Sequence, residues 1–203
     1  VTAVAFEYIQ DTHGFFPIVK SLSEIAGIAS VLIASELMNN QNEGNGLLLG
    51  NISGVPPSKV LIIGAGTVGE FAARSAMGLG ANIEVFDNSL TKLRNLQHKL
   101  GYPITTSTIQ PKVLSDSLKR CDVAIGALRG RTRTPVVVTE DMVRNMKEGA
   151  VIIDVSIDQG GIFETSEVTS MDNPTFIKHG VIHYCVPNIA SKVSRTASAA
   201  ISN

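Results

Sequence analysis

The stretch KVLIIGAGTVGEFAARSAMGLGANIEVFD, Lys59 to Asp87, constrains this chain most. An apolar, β-branched run meets three glycines spaced G-x-G-x-x-G: Gly64, Gly66 and Gly69. A helical pattern follows, closed by Gly78 and Gly80, and a second apolar run, Asn82 to Asp87, ends in a carboxylate. Strand, glycine turn, helix and strand within about thirty residues make a βαβ unit. Parallel strands joined this way need helices on both faces of their sheet. Each glycine has a task. Gly64 makes a tight turn, Gly66 lets the backbone approach a diphosphate, and Gly69 lets the helix pack on the strand. The helix start then offers free N–H groups and a positive dipole end to phosphate. Asp87 can accept hydrogen bonds from both hydroxyls of an adenosine ribose. A 2′-phosphate beside it would cost roughly 4 kcal/mol per unit charge pair, at ~4 Å and an effective dielectric of ~20. The pattern predicts NAD, not NADP, as cofactor.

The alternation continues after this unit. Leu90, Leu93, Leu96 and Leu100 recur at helical spacing. PITTST reads as a short strand, Leu114–Lys119 as a helix, and CDVAIGAL, Cys121–Leu128, as a strand. Thr139 caps a helix whose first turn holds Glu140 and Asp141, and AVIIDVS and VIHYCV are further strands. Ahead of the unit, Thr2–Gln10 reads as a strand. A helix follows over Leu22 to about Met38, with Ser21 as N-cap and Glu24 reaching back to it. The expected fold is α/β: a Rossmann-type doubly wound parallel sheet, with an N-terminal strand and helix from a domain junction. Residues 1–50 form the junction strand, helix and covering loop; residues 51–203 form the NAD-binding domain. The opening residues read as mid-strand, so the chain is expected to be a piece of a longer protein.

Of 203 residues, 44% are hydrophobic, enough for a sizeable core, and the net charge of −1 carries no acidic or basic blocks. That balance gives no footing for nucleic acid or anionic membranes. The most apolar run, Ile25–Ala34, is bounded by Glu24 and Glu36 and is too short to span a bilayer, so a buried helix is expected. Cys121 and Cys185 are far apart and show no metal-ligand spacing; two reduced core cysteines suit a cytoplasmic protein, and no metal site is expected. His183 alternates with apolar neighbours and reads as a satisfied core or interface residue. His13, His98 and His179 fall in a turn, on a helix face and in a loop, and none has a Ser or Cys partner at a triad-like spacing.

VIIDVSIDQGG, Val151–Gly161, raises a different question: a buried strand runs into Asp158, Gln159 and two glycines. Asp154 within the strand reads as a structural carboxylate bonded to nearby backbone. Asp158 is either a loop cap or a group placed at the carboxyl end of the sheet, where ligands bind.

Taken with DQGG and HYCVPNIA, the glycine fingerprint resembles the NAD-binding domain of alanine dehydrogenases, a superfamily shared with the nicotinamide nucleotide transhydrogenase α chain. The likeness covers nearly the whole chain, through SEIAG, GVPPSKVLIIGAGTVG, GLGANIEVFD, MKEGAVIIDVSIDQGGIFETS, DNPTF, HGVIHYCVPNI and SRTAS. Asp158 favours the dehydrogenases, since transhydrogenase chains generally carry Glu there. The resemblance implies oxidative deamination of L-alanine to pyruvate and ammonia by a homo-oligomer, with hydride passed to NAD⁺. It implies that Asp158 is catalytic and shares acid/base work with a histidine of an N-terminal substrate domain. That domain would also supply an arginine and a lysine for the amino acid. It implies Ser23 near the nicotinamide amide, Thr67 and Val68 at the diphosphate turn, Lys92 by the adenine, Leu128 as a ribose or adenine wall, and Val186, Asn188 and Ile189 beside the nicotinamide. Alone, the fragment is expected not to turn over alanine. LRGRTRTP, Leu128–Pro135, departs from the family's small, Ala- and Lys-containing loop and sets Arg129, Arg131 and Arg133 at a strand's carboxyl end. They read as a solvated basic loop or as contacts to cofactor phosphates or a substrate carboxylate. Other readings stay open: a transhydrogenase-like or other amino-acid dehydrogenase subunit, or an NAD-binding module without chemistry.

Overall fold

The computed structural model describes residues 5–130 and 132–202. Strand β1 (Lys59–Ile63), helix α2 (Thr67–Gly78) and strand β2 (Asn82–Phe86) form the expected βαβ unit. Then come α3 (Leu90–Leu100), β3 (Thr105–Ser107), α4 (Pro111–Leu118), β4 (Val123–Gly126), α5 (Glu140–Arg144) and β5 (Val151–Asp154). The chain closes with β6 (Thr175–Lys178), β7 (Val181–Tyr184) and α6 (Ser194–Ser202); α1 (Pro17–Leu37) precedes them all. The sheet order is β3-β2-β1-β4-β5-β7-β6. Every pair from β3 to β7 is parallel, and β6 runs antiparallel to β7. This is the doubly wound α/β order, in which the chain reverses direction between β1 and β4 and opens a crevice at their carboxyl ends.

Period-two alternation splits the core. Val60, Ile62, Val85, Ile125 and Ile153 face one layer, shared with Ala72, Ala73 and Ala76 of α2 and with Leu93, Leu96 and Leu100 of α3. Leu61, Ile63, Phe86 and Ile152 face the other, with Leu114 and Leu118 of α4 and Val143 of α5. Helix α1 joins the first layer through Val31, Ile33, Ala34 and Leu37. At 21 residues it is longer than its apolar run, and by length and composition it could cross a bilayer. Here it lies against α2. A Cβ at Gly27 would come within 2.8 Å of the Phe71 Cβ and 2.9 Å of the Ala72 nitrogen, so only glycine permits the crossing.

Four local expectations need correction. The proposed strand Thr2–Gln10 has no sheet neighbour over its described part; Phe6–Tyr8 forms an exposed 3₁₀ turn, and residues 1–4 lie outside the described residues. The segment's backbone bonds locally instead: the Tyr8 amide donates to the Ala5 carbonyl and the Ile9 amide to the Phe6 carbonyl, both at 3.1 Å. Helix α1 starts at Pro17, whose fixed φ suits a first turn, so Ser21 lies inside it and donates to the Pro17 carbonyl at 3.1 Å. Pro111 starts α4 three residues early in the same way. The sheet is mixed rather than wholly parallel: β6 pairs with β7 through a hairpin at His179 (φ 56°) and Gly180 (φ 73°).

His183 is fully buried, as its alternation implied. Its Nδ1 lies 2.9 Å from the Val181 carbonyl, which can only accept, so Nδ1 carries the proton and Nε2 accepts the Thr165 hydroxyl at 2.8 Å. Phe176 stacks on the ring, with centroids 4.8 Å apart. Burial pushes its pKa from 6.5 down to about 4. In the unfolded chain the imidazole takes up a proton below pH 6.5, whereas the folded one waits until about 4. Stability from this group is therefore complete above 6.5 and lost as pH falls through that window, by up to about 3 kcal/mol. The urea midpoint of His183→Gln should fall less between pH 7 and 4 than that of the wild type; equal falls would assign the acid sensitivity elsewhere.

Candidate functional site

The glycine turn between β1 and α2 is built as its spacing requires. Gly64 has φ 123°, and a Cβ there would meet the Leu128 nitrogen at 2.9 Å and the Ala127 carbonyl. A Cβ at Gly69 would overlap the Gly64 carbonyl oxygen. Gly66 differs: nothing lies within 4 Å of a Cβ placed there, so its open side faces free space. The Gly66, Thr67 and Val68 amides find no acceptor among the described residues, as expected of a helix start. Asp87 lies beneath the turn, 5% exposed. Its Oδ2 accepts from the Ala65 amide at 2.9 Å and its Oδ1 from the Ser89 amide at 2.8 Å, which leaves each oxygen a further lone pair. Lys92 Nζ stands 4.0 Å from Asp87 Oδ2. Gly66, Thr67 and Lys92 line one shallow hollow of about 200 Å³.

A second cavity, of about 280 Å³, opens among α1, the start of α2 and the carboxyl ends of β4 and β5. It gathers Ser23, Val68, Leu128, Asp158, Asn188 and Ile189, residues spread over 167 positions of sequence. Gly64, Gly69, Asp87 and Val186 line neither space; all four are buried. Ser23 spends its hydroxyl proton on the Val19 carbonyl at 2.7 Å and keeps its oxygen as an acceptor. Among the described residues, no three His, Cys, Asp or Glu side chains converge as metal ligands.

Asp154 organises the β5 end. Its Oδ1 accepts from the Ser156 amide at 3.1 Å; its Oδ2 accepts from the Ile162 amide at 2.9 Å and the Ser166 hydroxyl at 2.7 Å. Burial raises its pKa against the pull of those donors. Glycines make room for it: a Cβ at Gly126 would lie 2.8 Å from Oδ1, and one at Gly161 2.7 Å from Oδ2. The strand stops at Asp154, and Val155–Gln159 form a 3₁₀ turn. Asp158 thus stands on a turn beyond the strand, exposed to the cavity. The Asn188 amide donates to both its oxygens, at 3.1 and 3.4 Å. Asn188 does this from a left-handed backbone, φ 51°, which asparagine tolerates better than most residues, and its side chain makes no cap.

Residues not singled out from the sequence complete the picture. Gln159 Oε1 accepts from the Gly130 amide at 3.2 Å and the Thr134 hydroxyl at 3.4 Å. Ser156 Oγ donates to the Leu128 carbonyl at 2.7 Å. Phe6 and Glu7 form part of the cavity wall. The glycines of DQGG accommodate Asp154 and Arg133, whose Nε would be 2.8 Å from a Cβ at Gly160. Arg129 lines the cavity; Arg131 lies outside the described residues.

Sheet order, glycine turn and strand-end carboxylate together define a Rossmann-class α/β domain. The chain belongs to the family described as alanine dehydrogenase/PNT, C-terminal domain, whose model matches residues 30–203. It is 41% identical over 205 residues to an alanine dehydrogenase of Staphylococcus haemolyticus (strain JCSC1435), covering 100% of this chain and 55% of the relative. It is 42% identical to alanine dehydrogenase 2 of Staphylococcus aureus (strain USA300), with the same coverage. The chain thus spans about half the length of the curated relatives it matches. An L-alanine dehydrogenase structure superposes with a TM-score of 0.93 at 36% identity, over 98% of this chain and 56% of that one. A transhydrogenase from Sinorhizobium meliloti, at TM-score 0.77 and 23% identity over 91% of this chain and 52% of that one, shares the fold.

The two inner glycines should separate on substitution. Gly69→Ala should cost about 1–3 kcal/mol through overpacking, and Gly66→Ala less than about 0.5 kcal/mol. Equal losses in thermal denaturation would show that the Gly64–Gly69 contact is not what demands glycine.

Proposed function

We propose that this chain is the NAD(H)-holding part of an amino-acid dehydrogenase that oxidatively deaminates L-alanine to pyruvate and ammonia. The observation that carries the reading is the placing of Asp158 in one cavity with Ser23, Val68 and Asn188, adjoining the open glycine turn. The site residues fit a dinucleotide. Unpaired amides at Gly66, Thr67 and Val68 suit a diphosphate, and the empty space at Gly66 admits it. Gly64 and Gly69 shape that turn, Asp87 takes the adenosine ribose and Lys92 borders the adenine. Leu128 walls the ribose or adenine, and Val186, Asn188 and Ile189 flank the nicotinamide half, with Ser23 toward its amide. A bound NAD⁺ would supply the hydride acceptor, and the remaining tasks fall to protein groups. Asp158, fixed by the Asn188 amide, faces the substrate's amino end. As a carboxylate it stabilises the ammonium and the later iminium, and it orients the attacking water and shares its proton with a base from the rest of the protein.

In this reading residues 51–203 form the dinucleotide domain and residues 1–50 the junction toward the substrate-binding part. The near-neutral charge and the two buried free cysteines support a cytoplasmic protein acting on small molecules, without nucleic acid or membrane partners. The family resemblance supports a homo-oligomer. Full-length protein assayed with L-alanine should use NAD⁺ at least about 30-fold better than NADP⁺. Asp158→Ala should lower kcat by about 100-fold or more and leave NADH affinity within about threefold. Absent alanine turnover, or normal turnover in Asp158→Ala, would overturn the reading.

A further inference from the structure

The hollow at the glycine turn carries an ion-pair cluster that binding a diphosphate does not require. Glu70 stands in the first turn of α2, its amide donating to the Gly66 carbonyl at 2.9 Å. Its Oε2 accepts from Lys99 Nζ at 2.7 Å, and its Oε1 accepts from Arg74 Nη2 at 3.0 Å and Nε at 3.3 Å. Arg74 Nη2 also donates to the Lys99 carbonyl at 3.1 Å. A first-turn glutamate suits the helix dipole anywhere, but this one reaches 29 residues along the chain, to the last turn of α3. Both its oxygens are engaged, and its side chain is 13% exposed against 57% for Lys99. Glu70 and Lys99 line the hollow together with Lys92; Arg74 does not.

The charges around the hollow cancel in pairs. Lys92 Nζ stands 4.0 Å from Asp87 Oδ2, and Lys99 Nζ 2.7 Å from Glu70 Oε2. An adenosine ribose with free hydroxyls needs no net charge there. A 2′-phosphate brings close to two negative charges. Among the described residues lining the hollow, it would meet no cation without a carboxylate beside it. We infer that Glu70 is a second specificity-determining residue, beside Asp87, for the unphosphorylated dinucleotide. It holds Lys99 in a neutral pair, so that a 2′-phosphate finds two carboxylates and no free cation. The inference rests on the NAD reading above. Asp87 serves the ribose by hydrogen bonds, and Glu70 acts only through the charge it cancels.

Calorimetric titration of NADH and NADPH into full-length wild-type and Glu70→Gln protein tests the inference. Glutamine keeps the side chain's shape and an acceptor for Lys99 while removing the charge. The ratio of the NADPH to the NADH dissociation constant should fall by about 3- to 10-fold, in keeping with a partly exposed charge acting on a near-dianion. The gain should shrink as ionic strength rises from about 0.05 to 0.5 M, because it is electrostatic. Adding Lys99→Gln to Glu70→Gln should remove most of it, since both act on one charge pair. A merely structural role for Glu70 would lower the melting temperature and leave the ratio unmoved at either salt, which overturns the inference. A gain retained in the double variant would assign it to Arg74 and overturn the role given to Lys99. A wild type that binds NADPH as tightly as NADH sinks the preference drawn from Asp87 by itself. In that protein a fall of the ratio in Glu70→Gln would still uphold the glutamate's part, and an unchanged ratio would end it. A wild type that binds neither nucleotide overturns both readings.

Discussion

The Asp154 carboxylate holds the ligand end of the sheet together. It is 1% exposed and has hydrogen-bond donors from three directions: Ser156 just after it, Ile162 beyond the turn, and the Ser166 hydroxyl. Burying a carboxylate is costly unless such donors surround it. Here they bend the chain from β5 into a 3₁₀ turn and back beneath it. Gly126 and Gly161 are glycine because the carboxylate occupies the space a Cβ would need. The turn then carries Ser156, Asp158 and Gln159 outward, so the buried anion sets where the exposed one stands.

Across the crevice, a comparable division of labour shapes the glycine turn. Asp87 braces it through the Ala65 amide, and Gly69 lets α2 settle on the Gly64 carbonyl. Helix α1 locks the far side, where Gly27 meets α2 at Phe71 and Ala72. Among the described residues the amides at Gly66, Thr67 and Val68 keep no acceptor. Close packing around an unpaired set of N–H groups suits binding of an anion without reorganisation.

Much of this was legible in the sequence because it rests on local rules. The apolar runs of KVLIIG and NIEVFD mark central strands covered on both faces, and the glycine spacing marks the turn. DQGG marked Asp158, which does line the cavity. What escaped depends on partners distant in the chain. Thr2–Gln10 alternates like a strand, but over its described part it bonds locally in a 3₁₀ turn and pairs with no strand of the sheet. TFIK lacks the apolar run of a central strand because β6 is a half-covered edge, defined by its hairpin with β7. The start of α1 was misplaced because SLSE mimics a capping box, while Pro17 had already begun the helix. The Gln159 link to Gly130 and Thr134 spans 29 and 25 residues and has no local signature.

We propose that the dinucleotide's diphosphate lies on the open side of Gly66. Gly66 has φ −83° and ψ −166°, a conformation open to any residue, and a Cβ there would meet no protein atom within 4 Å. Calorimetric titration of NADH into full-length wild-type and Gly66→Val protein tests the claim directly. The prediction is that the wild type binds and the variant binds at least about 30-fold more weakly, a loss of about 2 kcal/mol, with its melting temperature within about 2 °C. Equal affinity in the two proteins, or no NADH binding by the wild type, would contradict it.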